Sequence, residues 1–159
     1  KEKELNDLKV ALKSAQKKHQ IDGLITGALY STYQRDRIEK ICDELGLKSF
    51  SPLWHIDQEE EMRAILKNKF KFILTSVAAD GLNKSWLNKI ITSNDIDNLN
   101  KLNKKIGLNI AGEGGEFESL VLDMPEFNQE IKIVKSKIVM ENECTGRLLI
   151  EKVKLVDKK

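Results

Sequence analysis

The sequence predicts an α/β fold, a parallel α/β unit followed by an α+β segment with antiparallel strands. Three observations carry this. From residue 2 to residue 53, apolar positions at helical spacing alternate with short apolar runs in the order helix, strand, helix, strand. After Trp54 the texture changes, and the Lys-Phe-Lys-Phe run at 69–72 opens a longer strand. Near the end, residues 131–141 and 147–156 alternate well enough to pair antiparallel. The boundary falls between Trp54 and Asp57, giving domains 1–55 and 56–159.

The elements follow in order. Residues 2–18 form an amphipathic helix with Leu5, Leu8, Leu12 and Ala15 on one face. Residues 21–29 are a compact apolar run suited to a strand covered on both faces. A helix over 32–45 carries the stripe Ile38, Ile41, Cys42, Leu45, with Gly46 at its C-terminal cap. A short strand over 49–53 closes the first unit. The second unit is expected to run helix 59–68, strand 69–79, helical pieces at 85–91 and 95–105, and strand 117–123, which Pro125 stops. The piece at 95–105, rich in Asn and Lys, reads as a polar surface element.

Composition excludes several classes. The sequence is 40% hydrophobic and 33% charged, as in a globular protein. Its longest apolar run, 21–30, is interrupted by Asp22, Gly23, Thr26 and Gly27 and falls short of the roughly 20 residues that span a bilayer. A net charge of +2 disfavours nucleic acid as a partner. Cys42 and Cys144, far apart and without a Cys-x-x-Cys, form neither a zinc framework nor a disulfide scaffold, so a reducing cytoplasmic setting is expected. The opening at Lys1, inside a charged helical pattern, reads as a cut within a longer sequence.

Two constellations carry chemistry. In Ser31-Thr32-Tyr33-Gln34-Arg35-Asp36-Arg37, a strand-to-helix turn places polar residues where open α/β sheets bind ligands and where free helix N–H groups attract anions. Arg35 and Arg37 are two of only four arginines among 27 basic residues, which suits a planar bidentate donor. Ser31 and Gln34 also fit a capping box, and the arginines also fit a solvated helix face. The second constellation, Gly112-Glu113-Gly114-Gly115-Glu116-Phe117-Glu118, is neither a Walker loop nor a Rossmann fingerprint. Its glycines permit close backbone approach, and its carboxylates repel phosphate unless a hard cation such as Mg²⁺ intervenes. An acidic hairpin with solvated glutamates is the alternative. His55, Ser76 and Ser85 lack nucleophile partners, and Trp54 and Trp86 read first as packing residues.

These residues carry a resemblance. Tyr33-Gln34-Arg35-Asp36-Arg37-Ile38-Glu39, Cys42, Leu45-Gly46-Leu47, Pro52-Leu53-Trp54, the Gly112–Glu118 element and Gly146-Arg147-Leu148 resemble the diphthine–ammonia ligase family of N-type ATP pyrophosphatases. The resemblance implies a partial Rossmann-like (HUP-type) sheet unit followed by a family-specific α+β domain. It implies ATP and Mg²⁺ as cofactors and, as partners, ammonia and elongation factor 2 in its diphthine form. It further implies the last step of diphthamide synthesis, in which ATP adenylylates a carboxylate and ammonia displaces AMP. Glu113 and Glu116 would hold Mg²⁺, with Glu118 behind them in the catalytic set. Gly112, Gly114, Gly115 and Ser31 would meet nucleotide and phosphate. Tyr33, Gln34, Arg35, Arg37 and Trp54 would bind the anionic substrate.

The sequence departs from that pattern in three places. The Ser-Gly-Gly-Lys-Asp-Ser pyrophosphate loop is absent from the 159 residues, so it is expected upstream of Lys1 and this stretch alone is expected to be inactive. Asn88 stands where the family has glycine, and Phe117 where it has tyrosine. An RNA-modifying ATP pyrophosphatase, a nucleotide-binding module without catalysis, and a homodimeric assembly all stay open.

Overall fold

The computed structural model describes residues 2–158, with side chains from residue 4 onward. The chain is α/β and divides into two compact units, Lys1–Ile56 and Asp57–Lys159.

In the first unit, α1 (Glu2–His19), β1 (Gly23–Ile25), α2 (Thr32–Leu45) and β2 (Lys48–Phe50) follow in order. The amphipathic stripes of the helices do what their spacing demands. Leu12 of α1 and Ile41 and Cys42 of α2 are buried with Leu47, flanked by Leu5, Leu8, Leu24, Ile38 and Leu45. Gly46 takes the left-handed conformation (φ 67°) and ends α2, its N–H bonding to the Asp43 carbonyl. The strands pair in parallel, Leu24 opposite Ser49 and Ile25 opposite Phe50. They are shorter than the apolar run 21–29 suggests and are not covered on both faces. Ile25 and Phe50 remain 74% and 63% exposed. Pairing stops early because, among the described residues, neither strand has a second neighbour to prolong the ladder.

The second unit contains α3 (Gln58–Lys67), β3 (Lys71–Ala78), a 3₁₀ turn (Lys84–Trp86), α4 (Ser93–Ile106), β4 (Phe117–Asp123), β5 (Gln129–Met140) and β6 (Thr145–Asp157). The antiparallel sheet has the order β4-β3-β6-β5. Met62 of α3 and Ile96 and Leu99 of α4 join Phe72, Leu74, Val77, Trp86 and Phe117 in one core. The expectation of a polar surface element at 95–105 is therefore corrected. Its Asn and Lys residues coat one face, but Ile96 and Leu99 are fully buried on the other. At the start of α4, the N–H and hydroxyl of Thr92 donate to Asp95 at 2.9 and 2.8 Å, and Lys89 pairs with the same carboxylate. Burial pushes the Asp95 carboxyl up, yet these bonds outweigh it and hold it below its ordinary range.

The expected helix at 85–91 ends after Trp86, and β3 supplies the reason. β6 reaches β3 only from Ser76 to Ala78, leaving the rest of that edge unpaired. Leu87 to Ile91 fills it: the Asn88 N–H donates to the Leu74 carbonyl and the Ile91 N–H to Phe72. That route requires Asn88 at φ 59°. Asparagine is one of the few side chains that tolerate this region, so the segment keeps a shape suited to glycine. Asn88→Gly is expected to fold as well as the parent, while Asn88→Val costs about 1–2 kcal/mol in urea titration. Equal midpoints for the two variants would show that the backbone there is not constrained.

Candidate functional site

The glycine loop is built by its own polar groups. Asn109 follows the last turn of α4, and its side-chain oxygen accepts the N–H groups of Ala111 (3.0 Å) and Glu113 (3.3 Å). The Glu116 carboxylate reaches back and accepts from Gly114 (2.8 Å) and Asn109 (3.2 Å). Gly112 and Gly115 donate to the Asn109 and Gly112 carbonyls. From outside the loop, Gln58 at the start of α3 accepts the Ile110 N–H at 2.9 Å. Every amide from Asn109 to Gly115 thus has an internal acceptor. The loop is preorganised, and its amides are already satisfied rather than aimed outward at a phosphate.

Gly112 is needed twice over. Its φ is 77°, and a Cβ there would lie 2.7 Å from the Phe117 ring. That buried ring is what the loop rests on, so phenylalanine performs the packing role without a hydroxyl. Gly115 is also left-handed, at φ 89°, with open space above it. Glu113 and Glu118 are exposed, whereas Glu116 is half-buried by its loop bonds.

Glu61 was not singled out from the sequence, where it is one of three successive glutamates. It lies one turn after Gln58 on α3, and its Oε2 is buried with no hydrogen-bond partner. Burial first, and then the neighbouring Glu113 charge, push its carboxyl above the ordinary range. The Glu113 charge thus acts on a Glu61 carboxyl that is itself buried and has no hydrogen-bond donor on Oε2. Among the described residues, no three His, Cys, Asp or Glu side chains gather closely enough to hold a metal by themselves. A cation at Glu61 and Glu113 would take its remaining oxygen ligands from bound phosphate and water.

In the first unit, the residues singled out cluster beyond the carboxyl ends of β1 and β2. Thr26 and Ser51 share a hydroxyl hydrogen bond of 2.8 Å, and the His55 N–H donates to the Leu29 carbonyl at 2.9 Å. The Tyr30 hydroxyl donates to the Ile56 carbonyl at 2.6 Å. Ser31 caps α2 by accepting the Gln34 N–H at 3.3 Å, which is one half of the expected capping box. Arg37 donates to the Tyr33 hydroxyl, its guanidinium 4.5 Å from that ring's centre. Arg35 lies 4.2 Å from the centre of the Trp54 ring and within 3.4 Å of Asp36 and Glu39. Trp54 stacks on His55 (4.7 Å, 22°) and His55 on Tyr30 (5.2 Å, 17°). His55 reaches this position with a left-handed φ of 61°.

Comparison with known proteins gives these groups a context. Residues 57–156 match the family described as diphthamide synthase C-terminal domain, and residues 1–49 match diphthamide synthase N-terminal domain. The chain belongs to the diphthamide synthase family. It is 42% identical over 134 residues to a diphthine–ammonia ligase of Schizosaccharomyces pombe, covering 84% of this chain and 22% of that protein. It is 37% and 34% identical over 140 residues to the diphthine–ammonia ligases of Mus musculus and Homo sapiens, covering 87% of this chain and 52% of each relative. The chain therefore spans about half the length of the mammalian relatives and about a fifth of the yeast one. Within the diphthamide synthase match, Ser31 to Arg37 fall in the N-terminal part and the glycine loop in the C-terminal part, with Trp54 between them. No described helix is long and apolar enough to cross a membrane.

The Glu61 environment yields a pH test. Its folded pKa lies above the unfolded one, so the folded state holds the proton more tightly. Stability then falls as pH rises from the unfolded value, about 4.3, through the folded one. Glu61→Gln is expected to raise Tm at neutral pH without divalent cation, the gain vanishing near pH 4. A gain that persists unchanged at acid pH would place its cause elsewhere.

Proposed function

We propose that this protein is an ATP- and Mg²⁺-dependent ligase that activates the diphthine carboxylate of elongation factor 2 by adenylylation and amidates it with ammonia. One observation supports it most. A preorganised loop presents Glu113 beside Glu61, whose buried oxygen has no donor, in a chain similar to proteins named diphthine–ammonia ligase. Hard oxygens in this arrangement fit a divalent cation. When bound, Mg-ATP would supply the adenylyl group, with release of pyrophosphate, that turns an unreactive carboxylate into one that ammonia can attack, with AMP as the second leaving group.

The residues contribute binding and order. In the second unit, Glu113 and Glu61 hold the cation, while Glu116 and Asn109 keep the loop closed so that Glu113 is already in place. Gly115 leaves open space for close approach, and Glu118 adds negative potential behind the loop. In the first unit, the positive end of α2 beside Ser31, with Tyr33, Gln34 and Arg37, receives an anionic group.

The experiment is amidation of diphthine-bearing elongation factor 2 by the full-length protein with Mg-ATP and isotope-labelled ammonia. Labelled amide with one AMP per product is expected. ADP as the product, or label appearing in RNA instead, overturns the reading.

A further inference from the structure

Arg35 was expected from the sequence to be an anion ligand, yet its surroundings describe a different task. Its Nη2 lies 3.2 Å from Asp36 and its Nε 3.4 Å from Glu39. The guanidinium is thus already paired with two carboxylates, which leaves it less of its charge to offer a phosphate or carboxylate ligand. The side chain is only 28% exposed, and its Nε is buried with no well-directed hydrogen bond. What the guanidinium does meet squarely is the Trp54 ring, 4.2 Å from its centre. Trp54 stacks on His55, and His55 on Tyr30. The two ends of this chain of rings sit on the loops that leave β1 and β2. Those same loops are joined by the His55–Leu29 and Tyr30–Ile56 hydrogen bonds. His55 holds a backbone conformation (φ 61°) that a non-glycine residue keeps only when its surroundings impose it.

We infer that Arg35 is a positioning residue: braced by Asp36 and Glu39, it packs on Trp54 and, through Trp54, His55 and Tyr30, locks the loop after β2 to the loop after β1. It acts on the ligand-binding end of the sheet through Trp54 and does not touch the anion itself. The consequence for ligand binding rests on the proposed function; the locking of the loops does not. Asp36 and Glu39 are part of the device, since their charges lie within 3.4 Å of the guanidinium and attract it to its place over the ring.

A double-mutant cycle of Arg35→Ala and Trp54→Leu decides the matter, with Trp54→Phe as a variant that preserves packing. Hydrogen exchange of the His55 amide in the full-length protein reads the lock directly. Arg35→Ala is expected to speed that exchange roughly three- to tenfold, the size of one lost cation–π contact, and to add nothing once Trp54 is leucine. In the full-length protein, Arg35→Ala should raise KM more than it lowers kcat at unchanged Tm. Arg35→Lys, which keeps a cation over the ring, should retain part of the His55 protection and Arg35→Gln should not, whereas for an anion ligand neither variant moves that exchange. Unchanged His55 exchange in Arg35→Ala, or effects that add fully in the Trp54→Leu background, overturns the proposal. If the parent protein shows no nucleotide-dependent activity, the proposed function fails while the exchange cycle still decides the role of Arg35.

Discussion

Glu113→Gln is expected to lower amidation by the full-length protein by about 10²–10³ at low Mg²⁺, the scale on which preorganised charge acts in a transition state. The substitution keeps size and polarity and removes the charge that would offset the cation. Glu113 is exposed, and none of the loop's ordering bonds uses its carboxylate, so folding does not depend on it. Tm should hold steady or rise slightly, because removing that charge relieves Glu61. Raising Mg²⁺ should recover part of the rate, since mass action compensates weaker binding. The same variant should also lose any Mg²⁺-dependent rise in Tm that the parent shows. Near-normal rates at low Mg²⁺ would return the loop to a solvated acidic hairpin. Glu116→Gln is the informative contrast, because its carboxylate orders two loop amides. Its loss should lower Tm as well as rate.

Gly112→Ala is expected to destabilise the second unit by about 2–4 kcal/mol, combining a left-handed backbone penalty with overpacking. The two components are separable. Phe117→Leu in the same chain removes the ring that the new Cβ would strike at 2.7 Å, whereas the φ of 77° stays unfavourable for alanine. The double variant should therefore lose less than the sum of the singles, with a positive coupling measured by urea unfolding. Strict additivity would mean that the loop does not rest on Phe117. Gly115→Ala serves as the control, carrying the backbone penalty with open space around it.

Much of this molecule is legible along the chain. Helix α2 begins and ends where its cap residues indicate, at Ser31 and Gly46, because capping is a local contest for orphan backbone groups. β4 runs from Phe117 to Asp123 as its pattern and Pro125 predict, and the core residues Cys42 and Leu12 follow from helical spacing. The glycine loop was visible as a dense run of special residues. Less visible was whatever depends on a neighbour distant in sequence. Leu87–Ile91 carries helical spacing but follows the β3 edge through a turn at Asn88, because the β3 carbonyls take its N–H groups. Glu61 is ordinary among three glutamates until folding buries one of its oxygens near Glu113.

The sequence by itself determined the α/β class, the order of the elements, and the family through short motifs whose residues are close together. These follow from periodicity and caps, which act within a few residues. Only the tertiary structure decided that Glu116 orders the loop while the Glu113 carboxylate takes no part in it, that Arg35 packs on Trp54, and that a Glu61 oxygen is buried without a hydrogen-bond partner. Whether a charge binds a ligand, props a loop or sits unpaired depends on its burial and partners. Those are set by contacts between elements that no local spacing encodes.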